Sequence, residues 1–107
     1  MTRALADVLK RIRTLVPAGR VRFTKKAHLE LNALGVDKQD AGEALGCMRP
    51  SDFVRRVPSA HTGEWLYIFK PTLLGQPIYA KCLLRDGLVV VLSFHDDDQE
   101  DGQEDVV

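Results

Sequence analysis

The stretch from Gln76 to His95, QPIYAKCLLRDGLVVVLSFH, constrains this chain more than any other. Two apolar runs flank Asp86-Gly87, a strong short-range signal for a β-hairpin. Side chains alternate between the faces of a strand, so one residue of slip exchanges the two faces. A two-residue loop, Asp86-Gly87, pairs Arg85 with Leu88 and sets Tyr79, Lys81 and Arg85 among Leu88, Val90, Leu92 and Phe94. A three-residue loop, Arg85-Asp86-Gly87 with Gly87 in the left-handed region, pairs Leu84 with Leu88 instead. The second register is preferred because it separates the faces. Ile78, Ala80, Cys82, Leu84, Leu88, Val90, Leu92 and Phe94 then form an apolar face for burial against helices. Tyr79, Lys81, Leu83, Val89, Val91, Ser93 and His95 form a mixed face that stays wet. A phenol, an ammonium, a hydroxyl and an imidazole gathered on that accessible surface suit the handling of an anion.

Upstream, the period is helical. Leu5, Val8, Leu9, Ile12, Leu15 and Val16 mark an amphipathic helix over about residues 3 to 16, closed by Pro17-Ala18-Gly19. Arg20 to Phe23 reads as a short connector. Thr24 caps a second helix, KKAHLELNAL, which Gly35 ends, and Asp37 caps a third from Lys38 to about Met48. From Ser51 the period becomes that of strands: Phe53 to Val57, then WLYIFK, then the hairpin. Trp65, Tyr67 and Phe69 share a face and read as core. The expected fold is α+β, with the N-terminal helices packed on one face of a three- to four-stranded antiparallel sheet.

With 107 residues the chain is long enough for one modest core. No apolar run reaches the length of a membrane span and the N-terminus lacks a signal-peptide core, so cytoplasmic residence is expected. Cys47 and Cys82 have no metal-ligand spacing and read as reduced structural residues; neither metal nor cofactor is expected. The formal net charge of zero conceals a division. Residues 96–107 hold seven of fifteen acidic groups and no basic ones, so the preceding residues carry fifteen basic against eight acidic groups, a balance of +7. That suits a body that meets a polyanion, residues 1–95, followed by an acidic tail, residues 96–107, expected to be disordered and able to compete for the basic face.

Several segments, taken in order, carry a resemblance: VPAGRVRFTKKA (Val16 to Ala27), LGVD (Leu34 to Asp37), SDF (Ser51 to Phe53), Trp65 with Lys70-Pro71, GQPIYAK (Gly75 to Lys81) and VVLSFH (Val90 to His95). In these the chain resembles the MqsR family of toxins from bacterial type II toxin–antitoxin pairs. The resemblance implies a RelE-like fold and a ribosome-independent, metal-independent endoribonuclease that cuts messenger RNA at GC-containing triplets. It also implies an antitoxin protein as partner. The family's active residues are a lysine after the SDF strand start, a glutamine after the tryptophan, a tyrosine in the penultimate strand and a lysine after the final SF. They fall here on Arg55, Leu66, Tyr79 and His95. Only the tyrosine is kept in kind: Arg55 offers a planar fork, Leu66 has no amide, and His95 titrates where a lysine does not.

Metal-free RNA cleavage needs a base for the 2′-hydroxyl, donors for the crowded phosphate and an acid for the leaving oxygen. The expected catalytic set is His95 as general acid or base, Tyr79 orienting the phosphate or sharing proton transfer, and Arg55 and Lys81 stabilising charge, with Lys70 and Arg85 contacting the RNA backbone. His61, in the loop before WLYIFK, is a rival proton carrier; His28 reads as a surface or half-buried side chain. A non-catalytic module that binds nucleic acid or protein on the same fold is the alternative.

Overall fold

Each helix begins where its cap dictates. The Thr2 hydroxyl accepts the Leu5 N–H at 3.2 Å and opens α1 (Arg3–Leu15), whose Leu9 and Ile12 turn inward. Thr24 accepts the Ala27 N–H and opens α2 (Lys25–Leu34), which ends at Gly35 with φ 75°, a conformation that costs glycine nothing. Asp37 and Asp40 form a reciprocal capping box at the start of α3 (Lys38–Gly46). This computed structural model describes residues 2–97; the expectations for the tail fall mostly on residues 98–107, outside the described part.

Among the described residues six strands follow or interleave: β1 (Val21–Phe23), β2 (Phe53–Pro58), β3 (Trp65–Phe69), β4 (Thr72–Leu73), β5 (Gln76–Arg85) and β6 (Leu88–Asp96). The spatial order is β1-β6-β5-β3-β2, with β4 against β5. Only β1 runs parallel, pairing Val21 to Phe23 with Val89 to Val91 of β6. The α+β expectation holds with more strands than foreseen. The segment taken for a connector is a strand: the Arg20 carbonyl accepts the Val89 N–H at 3.0 Å, and Val21 and Phe23 pack on the core. Three residues are too few to show a period.

The hairpin corrects the preferred register. Its loop has two residues, Asp86 (φ 52°) and Gly87 (φ 72°), and Arg85 pairs with Leu88. Positive φ at both central positions is the type I′ turn, whose twist matches that of the strands. Continued unbroken, this register would pair Ser93 with Ala80 and His95 with Ile78 and turn both polar groups into the helix-facing core, but a β-bulge prevents this. Cys82 pairs with Val91 and Lys81 with Ser93, leaving Leu92 as an extra residue on β6. Near the turn, Cys82, Leu84, Val89 and Val91 face the helices; beyond the bulge, Ile78, Ala80 and Phe94 do.

Leu9, Ile12, Ala27, Leu31, Ala41, Leu45 and Phe69 complete this main core between sheet and helices. The opposite face is not wet as expected. Leu66, Leu83, Val90 and Leu92 form a second, smaller buried cluster there, with Val57 against it. Trp65 also departs from the core reading: it is 44% exposed, with the Arg56 guanidinium carbon 3.9 Å from its ring centroid, whereas Phe69 is buried and Tyr67 half-buried. Cys82 is buried among apolar groups, which pushes its thiol up to about 12; Cys47 is exposed.

Candidate functional site

On the sheet face turned from the helices, the bulge assembles two neighbouring rows. One crosses four strands through the pairs Arg55 to Ile68, Ile68 to Lys81 and Lys81 to Ser93. At roughly 4.8 Å per strand this row spans about 14 Å from Arg55 to Ser93. The other is the cross-strand pair Tyr79 and His95. Their rings stack with centroids 4.9 Å apart and planes 6° from parallel. Lys70, one residue beyond the Phe69–Ala80 pair, ends on the same side and holds Asp97 through Nζ at 3.2 Å.

The four side chains expected to gather do so, but not on an open surface. His95 is 3% exposed, Lys81 5% and Ser93 fully buried, while Tyr79 is half-buried. Arg55 is exposed at the sheet's edge strand. The ring of His95 is held at Nδ1, 2.8 Å from the Asp96 carbonyl oxygen, while Nε2 faces Glu30 Oε2 at 4.0 Å, beyond hydrogen-bond distance.

Arg85 is not part of this group. It shares the face, but four residues along β5 from Lys81 place it roughly 13 Å away. Leu83 lies between them, and Arg85 makes a two-pronged ion pair with Glu64. The hydrogen bond from Arg85, helped by Thr62, holds the Glu64 carboxyl below its ordinary value of 4.5; the same bond raises Arg85. His61 and His28 are both exposed; His61 lies in the β2–β3 loop and His28 on α2.

Two participants escaped sequence reasoning, both from α2. Lys26 Nζ donates to Ser93 Oγ at 2.9 Å and to Glu30 Oε2 at 3.1 Å. Glu30 Oε1 accepts the Phe94 N–H at 3.0 Å. The available signal was their four-residue spacing, which places them on one side of a helix. What it lacked was the helix's position: the Thr24 N–H and hydroxyl bond the Val91 and Leu92 carbonyls, so α2 starts where β1 leaves the edge of β6. The assembled set is a phenol, an imidazole, a hydroxyl, several cations and one carboxylate. Such a set attracts a phosphate and exchanges protons with it.

Residues 6–96 match the family described as the motility quorum-sensing regulator, toxin of MqsA. A relative from Escherichia coli (strain K12), the mRNA interferase toxin MqsR, is 32% identical over 85 residues, which cover 77% of this chain and 86% of the relative. The match takes in both α2 and the hairpin and therefore the whole of the site, so the chain belongs to the MqsR toxin family.

Proposed function

We propose that this protein is the toxin of a toxin–antitoxin pair and cleaves single-stranded messenger RNA at the Tyr79–His95 face, without a metal ion. The observation that carries the reading is the stacked Tyr79–His95 pair with Lys81 and Lys26 on either side of Ser93. The relative's name as an mRNA interferase and the family's description as the toxin of MqsA supply the substrate class and an antitoxin as the partner. Tyr79 is the group that meets the RNA first, because His95 lies behind it. Arg55, Lys26 and Lys70 are the reachable cations, and Lys81 adds charge from within the sheet face. His95 takes or gives the proton once the Tyr79 ring moves aside. The RNA's own 2′-oxygen attacks the adjacent phosphorus and the 5′-oxygen leaves with a proton, giving a 2′,3′-cyclic phosphate.

Purified protein incubated with a defined RNA in EDTA, beside Tyr79→Phe and His95→Ala variants checked for folding by circular dichroism, tests this. Discrete cuts ending in cyclic phosphate and lost in both variants are expected. Undiminished cleavage by folded His95→Ala would reject the role of the imidazole. A second reading, RNA binding without cleavage, is favoured by Leu66: it stands where the family has a glutamine and is buried at 1% in the second apolar cluster. Intact RNA recovered from a salt-sensitive complex would establish that reading instead.

A further inference from the structure

Glu30 is out of place by charge alone. A carboxylate beside a site for RNA repels the phosphate it is meant to receive, and this one is only 19% exposed, so water screens it poorly. Its two oxygens do different things. Oε1 accepts the Phe94 N–H on the edge of β6. That part of the edge lies beyond the last β1 pair, Phe23 with Val91, so the side chain covers backbone that no strand reaches. A neutral carbonyl oxygen can accept the same N–H, in a weaker bond. Oε2 has the charge-dependent surroundings: Lys26 Nζ at 3.1 Å and His95 Nε2 at 4.0 Å. Lys26 in turn reaches Ser93 Oγ, the residue paired with Lys81.

We propose that Glu30 is the positioning residue of the RNA site. It keeps the imidazole of His95 in place as the Tyr79 ring moves aside and brings the Lys26 ammonium over β6 as a further phosphate contact. The inference rests on the cleavage reading for its catalytic consequence but not for its geometry. The Glu30 carboxylate faces Lys26 and, across 4.0 Å, the imidazole of His95, rather than the Tyr79 face where the phosphate would sit. Lys26 touches substrate in this arrangement; Glu30 acts only through its neighbours.

Glu30→Gln is the discriminating variant. Its carbonyl oxygen can still accept the Phe94 N–H, while the charge that holds Lys26 and faces His95 is gone. Glu30→Ala removes the edge contact as well and reports what that contact is worth to stability. Three quantities are read on the full chain: the melting temperature, kcat and KM on a defined RNA, and the NMR shifts of the His95 and Tyr79 ring protons, which sense the stack directly. For Glu30→Gln the melting temperature is expected to stay near that of the parent. Its kcat should fall by roughly ten- to a hundredfold with a much smaller change in KM, because misplacing a reacting group by about an ångström costs on that order. Its ring shifts should move. Unchanged ring shifts overturn the proposal whatever the activity, as does a kcat loss no larger than the loss of folded protein accounts for. If the parent cuts no RNA, the cleavage reading fails by itself, and ring shifts that move in Glu30→Gln still uphold Glu30 as the group that places His95.

Discussion

The two halves of the β5–β6 hairpin, divided by the bulge at Leu92, use the same strands for different ends. In the half nearest the turn, the face away from the helices carries Leu83, Val90 and Leu92, and an ion pair, Arg85 with Glu64, stands at the rim. In the far half the same face carries Lys81, Ser93, Tyr79 and His95, with Lys26 and Glu30 of α2 reaching Ser93 and His95. Continued without a bulge, the turn's register would pair Tyr79 with Phe94 and carry His95 to the helix side. One extra residue thus brings the imidazole onto the phenol. It also separates an apolar half from the half that carries the proposed site.

The largest effect should separate the halves by activity. Tyr79→Phe and His95→Ala are each expected to lower the cleavage rate by about a hundredfold or more, while Arg85→Ala leaves it near the parent level; a comparable loss in Arg85→Ala would show that the site reaches the turn. Next comes the bulge itself. Leu92 is fully buried, and Leu92→Ala should cost about 2–5 kcal/mol in urea unfolding. A cost well below that range would mean the bulge is not packed as described. At the turn, Gly87→Val forces a β-branched residue to φ 72°, with an expected loss of roughly 1–2 kcal/mol; an unaltered unfolding midpoint would speak against the type I′ geometry.

The smallest effect is the pH dependence of the rim pair. Glu64 has a folded pKa below its ordinary 4.5, so its contribution to stability is fully present above 4.5 and is lost as the pH falls through the lower folded value. Arg85 stays charged throughout this range. Urea titrations of Glu64→Gln and parent should therefore differ slightly at pH 7 and converge in acid. A difference that persists unaltered at pH 2 would mean that Glu64 acts by packing rather than by its charge.

Much of this was legible locally. Thr24, Asp37 and Gly35 announce helix ends because caps and left-handed closures involve residues within a turn of one another. Asp86-Gly87 announced the hairpin, and the conjunction of Tyr79, Lys81, Ser93 and His95 on one face was right although the register behind it was wrong. The three-residue loop and the bulged two-residue loop differ by an even number of positions beyond Leu92, so both give the same alternation at that end. The error surfaced near the turn, at Val89, Val90 and Val91, where apolar residues on both faces leave the alternation mute. Lys70 and Arg85 illustrate a different gap: their ion-pair partners, Asp97 and Glu64, come from distant parts of the chain and could not be read from it.

By itself the sequence determined the three helices and the four longer strands in their order, the place of the hairpin turn and the alternation that groups the phenol with the imidazole. These follow from hydrogen bonds and side-chain periods that span a few residues. Only the tertiary structure decided that β1 lies parallel to β6, that Leu92 is the extra residue, that the second face is buried, and that Lys26 and Glu30 reach Ser93 and His95 over the strand's edge. Each of these joins segments more than sixty residues apart or depends on how two layers meet. Such contacts are fixed by the burial of the whole core and leave no period in the chain for a reader to find.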